Sequence, residues 1–375
     1  MELFDVYPLY NVTPVSAKGI VVTDDQGQNY LDFYGGHAVI SIGHSHPYYV
    51  KRLKDQLDRI GFYSNSVKNP LQEELASKLG KISDCDNYNL FMCNSGAEAN
   101  ENALKMASFH TGKARVIAFK NSFHGRTSAA VAATDNPKIN APINQQQKVT
   151  FVPFNDVEAF QEEIEKNDVC CVILEAIQGV GGLDEPSTTF YQKIASLCKE
   201  YGVVLIADEV QSGFGRTGKF FGFQHHRIQP DIITMAKGMG NGFPVGGVLI
   251  HSDIKASYGL LGTTFGGNHL ACVATLAVLE VLEEERLLAN AARLEGYVRG
   301  LAAEISQVKK VKGRGLMLGL VFDFEVADLR KRLIYNQHLF TGGAKDPFVL
   351  RVLPALNITE NDLDTFFSAL KKELQ

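Results

Sequence analysis

The 375-residue chain has no apolar stretch long enough to span a bilayer. Its opening, MELFDVYPLYNVTP, has no basic segment followed by an apolar run. The first absence argues against a membrane helix and the second against a secretory signal. No basic block stands out: 37 Lys and Arg face 42 Asp and Glu, for a net charge of -5, which argues against a nucleic-acid partner. The six cysteines, Cys85, Cys93, Cys170, Cys171, Cys198 and Cys272, show neither metal-ligand spacing nor a secreted disulfide framework. Several sit in apolar contexts and read as small buried hydrophobes, so a reducing cytoplasm is the expected location. There is no internal repeat, no low-complexity tract and no GxGxxG after a first strand, which weakens dinucleotide binding. His44 and His46 lack a nearby third ligand, so no metal is expected there, and Pro47 reads as a helix start. What remains is ordinary globular composition, 45% hydrophobic with 34 glycines, enough for a large core and two domains.

The chemistry is concentrated in residues 203–242. Val203 to Ala207 is an apolar run of the kind a buried parallel strand needs, and it ends in Asp208-Glu209. A Gly-rich loop follows, then a second apolar run, Ile232 to Met235, then Ala236-Lys237 and the glycines at 238, 240 and 242. Open α/β sheets place their chemistry at strand ends. A lysine among small residues is a candidate amine nucleophile, and an acid at a neighbouring strand end can protonate a ring nitrogen. Together these are the two anchors of pyridoxal phosphate. Either residue alone would more often be a solvated turn or cap.

The rest of the chain repeats strand then helix, which predicts a parallel sheet covered on both faces. Residues 1–16 read as an irregular arm and 19–33 as a hairpin. Helices are expected over 47–59, 70–81, 98–110, 157–166, 187–201, 269–284, 284–304, 325–336 and 360–373, the last capped by Thr359. Strands are expected over 90–93, 115–119, 149–152, 169–174, 245–250 at a sheet edge, 313–322 and 350–354. Ser95-Gly96-Ala97 lies between a strand and a helix. That is the form of an anion site, although an ordinary Ser N-cap reads the same way. In the loop 121–126, Phe123 can lie against a planar group and Arg126 can grip a carboxylate; a core aromatic and a solvated arginine are the commoner fates.

DEVQSGFGRTGKFFGF at 208–223 and PDIITMAKGMGNGFPVGG at 230–247 resemble the signature of class III aminotransferases, of fold type I among pyridoxal-phosphate enzymes. NSGAEANENALKMA at 94–107, FHGRT at 123–127 and TTFGGNHLAC at 263–272 extend the likeness over essentially the whole chain. The closest form is the acetylornithine and succinylornithine aminotransferase group. The resemblance implies a large domain, 46–283, with a mostly parallel seven-stranded sheet. It implies a smaller α+β domain built from 1–45 and 284–375. It makes Lys237 the Schiff-base lysine and catalytic base, and pairs Asp208 with the ring nitrogen. It puts Gln211 on the ring oxygen, Phe123 against the ring, and Ser95, Gly96 and Ala97 on the phosphate, joined by Thr264 from the partner of a homodimer. It places Arg126, Arg351, Glu175, Ser64, Asn65 and Val180 on the substrate side. The implied reaction moves the terminal amine of an acylated ornithine to 2-oxoglutarate, giving glutamate, in arginine biosynthesis. The alternatives are an ornithine or other ω-amino acid aminotransferase, or an aminomutase of the glutamate-1-semialdehyde type.

One departure stands out. The family pattern Glu-Pro-Ile-Gln-Gly-Glu-Gly-Gly reads here Glu175-Ala176-Ile177-Gln178-Gly179-Val180-Gly181-Gly182. Val180 replaces an acid that in related ω-aminotransferases pairs with the arginine matching Arg351. Arg351 then needs another partner, because a buried unpaired cation is costly. A substrate carboxylate is one such partner, which would favour the succinyl donor. His37, where the family commonly has a small or aliphatic residue, is a second candidate for shaping the acyl pocket; a satisfied loop histidine is the plainer reading.

Overall fold

The computed structural model describes residues 1–375. Three strands open the chain: β1 (Pro14–Lys18), β2 (Val21–Asp24) and β3 (Asn29–Asp32). The irregular arm therefore ends before residue 16, since β1 pairs antiparallel with β2. The central sheet is built from β4 (Tyr88–Cys93), β5 (Arg115–Phe119), β6 (Val149–Val152), β7 (Val169–Glu175), β8 (Val204–Asp208), β9 (Ile232–Met235) and β10 (Gly246–His251). Their order is β4-β10-β9-β8-β7-β5-β6. Only β10 runs against the others, pairing antiparallel with both β9 and β4. Every residue of β7, β8 and β9 is buried, as continuous apolar runs covered on both faces require.

β10 lies inside the sheet and not at the edge expected for it. It pairs with β4 from Gly246↔Cys93 to His251↔Tyr88, so β4 takes the edge, and its burial is accordingly partial. An apolar strand does not show from its own sequence which neighbour it will take, and here the neighbour lies far upstream.

The carboxyl ends of the parallel strands set the site. Glu175 pairs in register with Asp208, and Asp208 with Thr234, three residues before Lys237. At β4 the chain turns directly into the helix Gly96–Thr111, capped by Ser95, whose hydroxyl accepts from the Glu98 N–H at 3.2 Å.

The remaining strands are β11 (Lys310–Arg314), β12 (Met317–Val321), β13 (Leu339–Phe340), β14 (Gly342–Gly343) and β15 (Val349–Val352). β13 pairs parallel with β3, so the first and last parts of the chain share one sheet. The expected single strand 313–322 is a hairpin: β11 folds back on β12 through a turn with Gly315 at φ 57°. A Cβ on Gly315 would meet the Thr217 carbonyl carbon at 2.5 Å, so the turn presses on the 212–220 loop. Arg216 ties the same region together. Its fully buried guanidinium donates to the carbonyls of Leu316, Pro354 and Ile40, and burial lowers its pKa to about 10.

The helices otherwise follow expectation within a few residues, from Pro47–Leu57 to Glu360–Leu374 with its Thr359 capping box. Residues 136–148 hold a 3-10 turn at Pro137–Ile139 and no strand or α-helix. All six cysteines are buried and free. His44 pairs with Asp32 and His46 with Glu285, each at 2.9 Å.

Candidate active site

Lys237 follows β9 in a left-handed conformation, φ 45°, an uncommon backbone state for a side-chain-bearing residue. The turn is fixed by the segment 41–43. The Ser41 hydroxyl donates to the Gly238 carbonyl at 2.8 Å. The Asn241 side chain accepts from the Ser41 and Ile42 amides and donates to the Gly43 carbonyl. Burial lowers the Lys237 pKa, while Asp208 and Glu175 act in the opposite direction. A lysine shifted this way keeps more of its amine in the neutral, nucleophilic form.

Asp208 is 3% exposed and held by three partners. Its Oδ1 accepts from the Val210 N–H at 3.0 Å, and its Oδ2 from Asn100 Nδ2 at 2.8 Å. His124 Nδ1 stands 2.6 Å from the same Oδ2. Sequence reasoning missed both supporting residues. Asn100 is a buried polar residue on the otherwise apolar face of Ala99, Ala103, Met106 and Ala107, and that irregularity is the one available signal. His124 lies inside FHGRT, between an aromatic and an arginine whose chemistry is easier to read.

Beside Asp208, burial raises Glu175 to about 7, with His124 opposing and the Asp208 charge adding to the rise. Its Oε1 accepts from the Phe123 N–H and its Oε2 from the Gly179 N–H. Glu175 thereby sets the loop that carries Phe123 and the turn that carries Val180.

These groups surround a cleft of 270 Å³ lined by Gly96, Ala97, Phe123, Arg126, Val180 and Gln211 among others. The unpaired amides at the start of the Gly96–Thr111 helix sit at one end of it. A Cβ on Gly96 would lie 2.6 Å from Val210 Cγ1, so only glycine fits there. Three buried atoms of this site have no hydrogen-bond partner: Gln211 Oε1, Asn100 Oδ1 and His124 Nε2. Gln211 Nε2 is held by the His37 carbonyl at 3.2 Å, and a Cβ on Gly179 would strike Gln211 Oε1 at 1.9 Å. Arg126 is exposed and makes no ion pair within the chain. A larger groove of 690 Å³ lies at the opposite ends of β8 and β9, around Val204 and Asp231, and contains none of these groups.

The sequence matches the family described as "Aminotransferase class-III" over residues 6–374. The chain belongs to the class-III aminotransferases. It is 41% identical to the acetylornithine aminotransferase of Bacillus subtilis (strain 168), covering 100% of this chain and 97% of that one. It is 38% identical to that of Methanocaldococcus jannaschii, covering 97% and 94%. Among solved structures, the ornithine aminotransferase of Toxoplasma gondii ME49 superposes with a TM-score of 0.91 at 27% identity, covering 98% and 91%. An S-selective transaminase from Arthrobacter sp. gives 0.91 at 26%, covering 100% and 95%.

The aminotransferase is a pyridoxal-phosphate enzyme, and its residues fit that group. The amides at Gly96 and Ala97 would hold the phosphate, Asp208 the ring nitrogen, and the orphan Gln211 Oε1 a ring substituent. Arg351, on β15, is 3% exposed and lies behind the cleft wall, its Nη1 donating to the carbonyl of the lining residue Gly179 at 2.8 Å. Its Nε donates to the Gly343 carbonyl, and no carboxylate pairs with it. Burial lowers its pKa. The carbonyls of Gly343 and Gly179 thus take the guanidinium's hydrogen bonds. The carbonyl of Val180 itself accepts from the Lys345 N–H at 2.8 Å.

Ser64, Asn65 and Thr264 stand apart from the cleft and close to one another. Asn65 Nδ2 donates to the carbonyls of Thr263 and Gly266, and Ser64 and Thr264 are exposed. Around them Phe62, Tyr63 and Phe265 are exposed aromatics.

Glu209, next to Asp208, is 1% exposed and accepts from the Ser212 hydroxyl and the Gly222 and Phe223 amides. Burial raises it to about 7 against those donors, with Asp208 adding to the rise. The folded chain then holds this proton more tightly than the unfolded one. The stabilisation is full below the unfolded value and is lost as pH rises through about 7. Glu209→Gln should remove that dependence. Urea unfolding at pH 5 and pH 8 should show wild type losing ground to the variant at the higher pH. A constant difference would contradict the assignment.

Proposed function

We propose that this aminotransferase moves the terminal (δ) amine of an N2-acylated ornithine to 2-oxoglutarate by a ping-pong mechanism, in arginine biosynthesis. The products are the semialdehyde and glutamate. Full-length similarity to acetylornithine aminotransferases carries the reading, with Arg126 lining the cleft beside Lys237 and Arg351 bonded to the Gly179 carbonyl at its wall. When bound, pyridoxal phosphate supplies an electron sink for the carbon bearing the amine. Lys237, in its neutral form, would accept a proton from that carbon and deliver it to the cofactor's carbon, which leaves the amine on the cofactor side. Asp208, fixed by Asn100 and His124, holds negative charge at the ring-nitrogen end. Phe123 and Glu175 narrow the cleft on the strand-end side. Arg126 and Arg351 fit the two carboxylates of the keto acid by charge-assisted pairing.

The acyl group is tied to Val180. Val180 lines the cleft next to Gly179, which holds Arg351. With no acid closing Arg351, a donor with an additional carboxylate, N-succinylornithine, is tolerated or favoured over N-acetylornithine. Val180→Glu supplies the missing acid. The variant should lower the succinyl-to-acetyl ratio of kcat/KM by about ten-fold. An unchanged ratio would separate Val180 from the choice of acyl group.

The reading extends to assembly. The exposed cluster of Ser64, Asn65 and Thr264, ringed by aromatics, suits a second copy of the chain, with Thr264 completing the partner's phosphate site. We read 1–45 with 284–375 as a small domain on the large domain 46–283; the β3–β13 pairing supports the first grouping. No helix is long and apolar enough to cross a membrane, in keeping with a proposed cytoplasmic location. A fully active monomer in sedimentation would contradict the shared site.

A further inference from the structure

Arg351 has a neighbour of the same charge. Arg330, on the helix Ala327–Gln337, approaches the short strand β14. Its Nη2 donates to the Thr341 carbonyl at 3.1 Å, and its Nη1 stands 2.7 Å from where a Cβ on Gly343 would lie. The Gly343 carbonyl is in turn the acceptor for Arg351 Nε at 2.6 Å. Two guanidiniums thus meet at one residue that has no side chain. Neither forms an ion pair, and Arg330 Nε is buried with no hydrogen-bond partner.

The surroundings do not neutralise them. Tyr34 lies beside Arg351, its ring centre 5.7 Å from the guanidinium carbon, and a Cβ on Gly342 would strike that ring at 2.5 Å. His37 packs on Tyr34 with ring centres 4.6 Å apart. The nearby acid Asp32 is committed to His44 and to the Tyr34 and Gly35 amides. Two close cations served by carbonyls and the Tyr34 hydroxyl repel each other, and an anionic group offsets both at once.

We propose that Arg330 is a specificity-determining residue: it adds a second positive charge behind Arg351, so this end of the site selects substrates carrying a carboxylate there. No acid of the chain forms an ion pair with either guanidinium, so the selection operates in both half-reactions. The proposal rests on the reading that Arg351 receives a substrate carboxylate.

The test uses the holoenzyme and glutarate, an unreactive dicarboxylate, with binding followed by calorimetry. Arg330→Gln should weaken glutarate binding about ten-fold and raise KM for the keto acid by a similar factor, with kcat nearly unchanged. Arg330→Lys, which keeps the charge, should recover most of the affinity. Arg330→Met is a second neutral variant that keeps the apolar stem, should the Gln variant fail to fold. Unchanged glutarate affinity in a folded neutral variant overturns the proposal. So does an equal loss in the Lys and neutral variants accompanied by a lower melting temperature, which marks a packing role. If no acyl-ornithine is a substrate but glutarate still depends on Arg330, the functional reading fails and this one stands.

Discussion

Lys237→Ala is expected to lower kcat/KM by roughly 10⁴-fold or more, because one side chain serves as both nucleophile and proton carrier. The protein should remain folded. Lys237 makes no ion pair or hydrogen bond that alanine would leave unsatisfied, and its amine is held at a desolvation cost. Alanine inherits the same φ of 45°, so backbone strain is unchanged. The melting temperature should stay level or rise, as is common when a functional charge is removed from a site. Lys237→Arg should be similarly inactive, since a guanidinium stays protonated and is no nucleophile. Residual turnover within about ten-fold of wild type would remove Lys237 from the chemistry.

Asp208→Asn should lower kcat/KM by roughly 10²–10³-fold, the range for losing one preorganised electrostatic partner. Asparagine keeps the volume but not the charge. Its carboxamide also cannot accept on both sides: Asn100 and the Val210 N–H approach opposite oxygens, so one donor faces another donor. Asp208 also raises the pKa of Glu175, so the variant should move any ionisation of Glu175 below its value of about 7. A pH profile of the variant with its limb unmoved would separate Glu175 from the observed titration.

Asp208 and Lys237 are legible in the sequence because each follows an uninterrupted apolar strand, and parallel strands bring such ends to one edge. Ser95 and Thr359 are legible as caps for a local reason: each bonds its own next turn. What is not legible is long-range. His124 and Asn100 meet Asp208 across 84 and 108 residues, and no local pattern announces the contact. The β4–β10 pairing escapes for the same reason. The hairpin at 313–322 reads as one strand because its leucines alternate, while the turn is dictated by contact with the 212–220 loop. Val180 is legible only as a departure from the family pattern that the chain resembles. That the Gly179 and Gly343 carbonyls hold Arg351 is not legible, because backbone acceptors have no residue signature.

The most direct measurement is a paired rate comparison on the purified holoenzyme. N-acetylornithine, N-succinylornithine and free ornithine are offered at equal concentration, with and without 2-oxoglutarate, and glutamate is quantified. Glutamate should form in step with semialdehyde, with no sustained turnover when the keto acid is left out. The kcat/KM for an acylated donor should stand at least about ten-fold above that for free ornithine. Preference for free ornithine would contradict the acyl-ornithine assignment. Sustained conversion of glutamate-1-semialdehyde without any keto acid would contradict the aminotransfer reaction itself.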